Sequence, residues 1–415
     1  MTKVRIAAIG AGNRMNAYSE YALHYPEEME IVAVVEPNPI RREQYRRRLN
    51  ISEDCCYNSW EDFFRMPKQA DAVFLCTPDD LHYQPALCAL EKGYDILLEK
   101  PIAQSWRECV EIVAKAKELG RIVGVCHILR YHPYFIKFKE ILESGRLGEI
   151  ISVNHVEAVG IDRMTHAFVR GLWRKREANP MILSKACHDL DLLVWLTGRK
   201  CMDVSSYGSL KWFSETNAPQ GSTERCIEGC AVEKECPYSA LNLYFRQKRW
   251  LRHFDIPEGE NPEPYILREL KEGPYGRCVY RCDNDVVDHQ VVSMLMEGQV
   301  TVNFSMEGFT KKGERRTHIM CSNGEIYGDE KTLTVKYFHP AYPDETYDFS
   351  AYSGECNFHG GADWSIVADF IKAVREHDAS CLRTNIETSL ESHRMAFEIE
   401  RKRRLNMGAV DETFI

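Results

Sequence analysis

The first 130 residues alternate strand and helix in a pattern that few folds accommodate. VRIAAIG (4–10), EIVAVVE (30–36), DAVFLCT (71–77), DILLE (95–99) and RIVGVCHI (121–128) are apolar, β-branched runs of strand length. Helix-like segments lie between them at 14–25, 39–49, 80–92 and 105–119. Strands that are apolar on both faces and separated by helices predict a parallel sheet covered on each side. Ser105 and Glu108 make a capping-box signature, and Gly93 and Gly120 fall where helix C-caps are expected.

The first strand runs into GAGNRM. Gly10 suits a tight turn, and Gly12 lets a pyrophosphate approach the backbone where Asn13 and Arg14 open the next helix. The third glycine of the usual fingerprint is Met15 here, so an ordinary tight turn stays open as the alternative. Glu36 ends the second strand, 24 residues beyond Gly12. A carboxylate there accepts hydrogen bonds from the adenosine ribose and repels a 2′-phosphate, which favours NAD. Arg41 and Arg42 follow closely and keep NADP open. The third strand runs out in CTPDDLH, where Thr77-Pro78 breaks it and His82 enters the next helix. The stretch DILLEKPIAQS ends an apolar strand on Glu99, Lys100 and Pro101. Gly10, Glu36, Thr77 and Lys100 all fall at carboxyl ends of strands, where ligands of doubly wound sheets sit. Lys100 is therefore expected to point into the cofactor crevice, with Glu99 orienting it or contacting the ribose, and a cis Lys100–Pro101 bond is allowed.

GAGNR, CTPDDLH, EKP, RYHP (130–133) and CHDLDLLVWLTG (187–198) occur in the order seen in the Gfo/Idh/MocA oxidoreductases, and HGGADW (359–364) resumes the likeness later. The chain resembles that family most densely over residues 4–200. The resemblance implies a Rossmann domain over 1–128 that binds NAD(P). It implies a second α+β domain over 129–415 with a large open, mainly antiparallel sheet, through which such chains form dimers or tetramers. It also places a site between the two, where Lys100 and His188 flank the substrate carbon facing the nicotinamide. Oxidising a secondary alcohol needs a base for the hydroxyl proton and positive charge near the developing alkoxide, which a histidine and a lysine supply.

The segment SKACHDLD departs from the family, many of whose members carry Asp where this chain has Ser184. Read as one helix from Ser184 to Gly198, it sets Ser184, His188 and Asp191 on a shared face, and Lys185 three residues before His188. Asp191 is then placed to orient the imidazole or merely to lie beside it. Arg130, Ser184, Lys185, Asp191 and His359 are the candidate substrate contacts, although for His359 a solvated helix-entry loop is slightly the favoured reading.

Beyond residue 148 the sequence is strand-rich, with candidates at 149–160, 203–210, 286–295, 299–306, 317–322 and 333–338, and long helices near 363–377 and 387–405. Residues 213–284 look like an insertion. Cys226, Cys230, Cys236 and Cys278 within it are a candidate structural zinc site, weighed evenly against free thiols because the spacing is looser than paired C-x2-C. The chain has 16 cysteines among 415 residues, and the N-terminus runs directly into a strand without a secretory segment. Free thiols or metal ligation are thus expected rather than disulfides, and a cytoplasmic location. A net charge of −9 without a basic stripe argues against nucleic acid, and no apolar stretch approaches the ~20 residues of a membrane span. The expected activity is hydride transfer between nicotinamide and a secondary alcohol of a sugar, polyol or sugar derivative. The alternatives are an NAD-retaining glycoside hydrolase or lyase working through transient oxidation and elimination, and a non-catalytic dinucleotide-binding regulator.

Overall fold

The computed structural model describes residues 2–352 and 359–408. Six strands form the first sheet: β1 (Val4–Ile9), β2 (Met29–Val35), β3 (Cys56–Tyr57), β4 (Ala72–Leu75), β5 (Asp95–Leu98) and β6 (Val123–Val125). Their order is β3-β2-β1-β4-β5-β6, and every neighbouring pair is parallel. The order reverses between β1 and β4, which opens a crevice at the carboxyl ends of the strands. Helices α1 (Asn13–His24), α2 (Pro39–Arg48), α3 (Trp60–Arg65), α4 (Tyr83–Glu91) and α5 (Trp106–Glu118) connect them. The expected capping box is present at Ser105 and Glu108, and the residues of β4 and β5 are buried throughout. β3 and α3 were not expected, since two-residue strands and single-turn helices carry no readable period.

The chain then builds α6 (Pro133–Glu143), β7 (Ile150–Ala158) and the turn α7 (Ile161–Arg163), which continues as a π-helix over Met164–Arg170. After α8 (Met181–Ser184), α9 (Cys187–Thr197), β8 (Cys201–Ser209) and α10 (Glu263–Glu272) come β9 (His289–Met296), β10 (Thr301–Glu307), β11 (Glu314–Cys321), β12 (Gly324–Gly328), β13 (Thr332–Tyr337) and β14 (Glu345–Asp348). The second sheet runs β14-β13-β12-β11-β7-β10-β9-β8, and its pairs are antiparallel except β7 with β10. β9 and β10 alternate buried and exposed residues, so one face is covered and the other bare. The last helices are α11 (Ala362–Glu376) and α12 (Ile386–Asn406). α12 packs on β8 and α9. α11 returns to the first sheet: its Ile366, Val367 and Phe370 share one apolar core with Ile6, Ala8, Val34 and Phe74. The edge strand β6 is covered by returning chain, with the Val125 N–H donating to Thr384 O at 2.8 Å.

The insertion at 213–284 carries its own small core of Ala240, Leu243, Tyr244, Phe254, Ile266 and Leu270. Fully buried Arg170 stitches it to the sheet domain, donating to Arg277 O at 2.8 Å and to Tyr238 O at 2.7 Å. His166 adds a second anchor, stacked between Trp250 and Tyr275 at ring separations of 5.0 and 4.7 Å. The zinc expectation is not supported. Cys226, Cys230, Cys236 and Cys278 do line one small cavity, but no three His, Cys, Asp or Glu among the described residues are gathered to hold a metal ion. Burial raises the pKa of Cys236 and Cys278, which keeps them as thiols, and the Arg170 cation lies in the same wall. Packing and the Arg170 hydrogen bonds hold this region in the structure. No helix among the described residues is long and apolar enough to cross a membrane.

Candidate active site

The turn after β1 is set by close approach of two strand ends. Gly10 has φ +87°, and a Cβ there would lie 2.6 Å from the carbonyl oxygen of Cys76 after β4. A side chain at this position meets both backbone strain and a clash. Gly10→Ala is expected to cost roughly 2–3 kcal/mol of stability, read as a lower urea midpoint. At Gly12, by contrast, a Cβ would meet nothing within 4 Å. Gly12 is the N-cap of α1 and supplies no side-chain cap, so the first amides of the helix face open space. An uncapped helix start with nothing against it fits a pyrophosphate.

Glu36 is buried beside this turn and accepts from the Ala11 N–H at 2.8 Å and the Asn38 N–H at 3.0 Å. Arg41, considered for a 2′-phosphate, instead pairs with Asp255 of the insertion at 2.6 Å, and Arg42 donates to the Glu36 carbonyl. His82 is fully buried and bridges two loops, Nδ1 lying 2.6 Å from Pro101 O and Nε2 3.1 Å from Thr77 O. It positions the loops rather than facing ligand. Pro78 caps the short turn Asp79–Leu81. Arg14 donates to Glu99 at 3.0 Å and also pairs with Asp363 of α11, so these two expected cofactor contacts are bound to each other.

A cavity of about 570 Å3 opens from this edge. Asn13, Arg14, Thr77, Glu99 and Lys100 line it from the first sheet, and Ser184, Lys185 and His188 from the second domain. The Lys100–Pro101 bond is cis. Lys100 Nζ donates to the backbone carbonyl of Ser184 at 2.7 Å. That carbonyl is available because the helix expected to run unbroken from Ser184 is interrupted: α8 ends at Ser184 and α9 begins at Cys187. The Ser184 hydroxyl turns back onto Pro180 O at 3.4 Å. The chain thus presents Ser184 through its main chain, and the shared helical face read from the sequence does not form.

Asp191 does not orient His188. It forms a two-pronged ion pair with Arg130, at 2.8 and 2.6 Å, and both residues are buried behind the cavity wall. The i,i+3 spacing brought Asp191 near the imidazole, but the guanidinium fork from α6's approach competes better for the carboxylate. Arg130 and Asp191 are thereby positioning residues, not lining ones. Lys185 pairs with buried Glu157 at 2.6 Å, and Arg315 bonds Asp189 at 2.7 Å and Glu157 at 2.8 Å. The side chain of His359 lies outside the described residues.

The His188 ring sits 5.7 Å from the His127 ring, and its Nδ1 is buried without a hydrogen-bond partner among the described residues. Burial, then the charge of Lys100, holds its pKa well below the usual histidine value. His188 is therefore a neutral imidazole at neutral pH, the form in which it accepts a proton. Lys100 has three donors and spends one on Ser184. A neutral base beside an ammonium in one cavity can deprotonate a hydroxyl while stabilising the oxyanion.

Sequence reasoning missed the far wall. Arg163, Trp173, Arg249, Trp250, Arg252 and Lys311 line it. The signal was present in RQKRWLRHF (246–254), dense in cations around one tryptophan, but nothing local says which way such a segment faces.

Residues 4–127 match the family described as "Oxidoreductase family, NAD-binding Rossmann fold", GFO_IDH_MocA. Over 220 residues the chain is 27% identical to the scyllo-inositol 2-dehydrogenase (NAD(+)) of Bacillus subtilis, covering 50% of this chain and 58% of that one. Over 209 residues it is 26% identical to the 2,7-anhydro-N-acetylneuraminate hydratase of Mediterraneibacter gnavus, covering 50% and 53%. The matches span little more than half the length of these two relatives. The crystal structure of an inositol dehydrogenase homolog from Azotobacter vinelandii, complexed with NADH and myo-inositol, superposes with a TM-score of 0.68 at 15% identity, over 99% of this chain and 97% of that one. That likeness carries the fold.

Proposed function

We propose that this chain, whose residues 4–127 match the Gfo/Idh/MocA oxidoreductases and their NAD-binding Rossmann fold, is an NAD-dependent dehydrogenase acting on a secondary alcohol of a sugar, polyol or sugar derivative. The observation that carries this reading is the meeting of Lys100 and His188 in one cavity that reaches the uncapped turn of α1.

Gly10, Gly12, Asn13 and Glu36 would hold the dinucleotide, the amides at the start of α1 on its pyrophosphate and Glu36 on the adenosine ribose. The acidic Glu36, and Arg41 already paired with Asp255, support NAD over NADP. When bound, the nicotinamide supplies the hydride acceptor. His188 takes the hydroxyl proton, and Lys100, held by the Ser184 carbonyl, stabilises negative charge on the substrate oxygen. The bare face of the second sheet carries exposed Ile151, Met202, Tyr207, Val291 and Leu295, which supports assembly of a homo-oligomer there.

The test is a panel of sugars, polyols and glycosides incubated with protein and NAD, following nicotinamide absorbance and product release separately. Net reduction is the expected result. Glycoside cleavage without net reduction would replace this reading by the redox-assisted hydrolase or lyase, whose present support is the hydratase relative. NAD binding with neither outcome would leave a dinucleotide-binding protein without this activity.

A further inference from the structure

The cavity is strongly cationic in a chain that is acidic overall. Among the described residues nine Lys and Arg line it against three Asp and Glu, whereas the whole chain has 53 against 62. Each of the three carboxylates is committed. Glu99 bonds Arg14, Asp162 pairs with Arg249, and Asp79 accepts from Trp173 Nε1 at 3.1 Å and Asn179 Nδ2 at 2.8 Å. Lys185 and Arg315 are offset from behind by Glu157 and Asp189, and Lys312 by Glu314. Arg163 has no hydrogen bond or carboxylate partner among the described residues. Its guanidinium lies over the indoles of Trp173 and Trp250, 5.7 and 5.4 Å from the ring centroids.

The far wall is built to hold this arrangement. Arg163 stands at the start of the π-helix Met164–Arg170, a rare geometry found mostly at functional sites. Trp250 adopts φ +62°, a strained conformation for a bulky side chain, and it also draws Arg252 over its ring at 5.1 Å. Gly160 and Gly313 approach so closely that a Cβ on Gly160 would lie 2.6 Å from the Gly313 amide, which brings Lys311 to the rim. Burial, then the charge of Arg252, lowers the pKa of Arg163 to about 10, while the Glu157 carboxylate pulls the other way. The Arg163 guanidinium, set against two indoles and in no ion pair among the described residues, leaves room for an anion from outside. A guanidinium stacked on its faces keeps its N–H edges for a planar or tetrahedral oxyanion.

We infer that the substrate carries an anionic group, a carboxylate or a phosphate borne on the sugar, seated on Arg163 between Trp173 and Trp250. The inference rests on the dehydrogenase reading for the cavity being the substrate site, and it narrows that site to acidic sugars.

The test measures binding and turnover separately. NAD-loaded protein is titrated calorimetrically with uronates (glucuronate, galacturonate), the corresponding hexose 6-phosphates and the neutral hexoses. An acidic sugar is expected to bind at least ~10-fold more tightly than its neutral counterpart, with affinity falling as salt rises. A uronate preference identifies the carboxylate as the source of charge, and a 6-phosphate preference the phosphate. Arg163→Gln is expected to weaken acid binding roughly 10- to 100-fold and neutral-sugar binding by a much smaller factor. Lys311→Gln, on an exposed loop, should shift acid binding the same way by a smaller factor and serves if the first variant misfolds. Equal affinity for acids and neutral sugars, no binding by any acid, or equal loss of both in Arg163→Gln would overturn the proposal. Acid-selective binding without nicotinamide reduction would leave the anion site standing and remove the dehydrogenase reading instead.

Discussion

Lys100→Met is expected to lower kcat/KM by roughly 10³-fold or more, with NADH affinity changed little. Methionine keeps the length of the side chain and removes its charge. Lys100 is the cation in the cavity that faces His188 without a carboxylate of its own, and its contact is the neutral Ser184 carbonyl. The substrate oxygen loses its electrostatic partner in the variant, whereas Gly12, Asn13 and Glu36 are untouched. His188→Ala should fall by roughly 10²- to 10⁴-fold, the range for losing a positioned base. Its pH profile gives a finer check. Protonated His188 is inactive as a base, and its pKa lies well below 6.5 because of burial and Lys100. The plateau of kcat/KM should therefore continue below pH 6.5. In Lys100→Met the neighbouring cation is gone, so the residual activity should lose its acid limb at a higher pH than wild type. Retention of near-wild-type turnover in both variants would sink the assignment.

The second large effect is on stability. Burial lowers the pKa of His166 to about 2, His393 to about 3 and His253 to about 4. In the unfolded chain each titrates near ~6.5. The unfolded state then binds more protons over pH 4–6.5, so stability is present above pH 6.5 and is lost as pH falls. Each histidine contributes about 2 kcal/mol between pH 7 and 5, and the three together roughly 6 kcal/mol. Buried His127 and His188 push the same way. Glu157, Asp191, Asp95, Glu269, Glu307 and Asp369, all raised by burial, oppose it, so the net fall is smaller than the histidine sum. The histidine sum is comparable to the whole stability of many domains. Urea midpoints at pH 7 and pH 5 check it: a midpoint that does not move would show that these rings are solvated in solution. His166 lies between Trp250 and Tyr275, so the insertion should loosen first, visible as tryptophan fluorescence changing before far-ultraviolet dichroism.

The nucleotide-binding half was legible because its signals are local. A buried parallel strand reads as an apolar run, a cap as a Ser–Glu pair, and the lysine in EKP as a charge where a strand must end. The turn between β9 and β10 is a signal of the same local kind, a Glu297–Gly298 pair whose glycine takes φ +72°. Long-range choices were not. Asp191 lies on α9 beside His188, yet its carboxylate goes to Arg130, 61 residues earlier. Helical spacing gave no hint of the break between Ser184 and Cys187, because the two residues within it, Lys185 and Ala186, are good helix formers. The break decides how Lys100 is held. The four cysteines do converge on one cavity, as their clustering implied, but Arg170 reached it from a distant element and occupies the wall. The cationic far wall needed three separate segments, at 163, 250 and 311, to fold before it existed at all.

The return of α11 to the first sheet bears on how such a chain is made. Ile366, Val367, Phe370 and Ile371 are fully buried in the core that β1, β2 and β4 begin. During synthesis the nucleotide-binding half leaves the ribosome first, yet that face stays bare until Ala362–Glu376 has emerged. Vectorial folding cannot finish this domain on its own, and its apolar side must be shielded by a chaperone or by non-native contacts while the intervening sheet is translated.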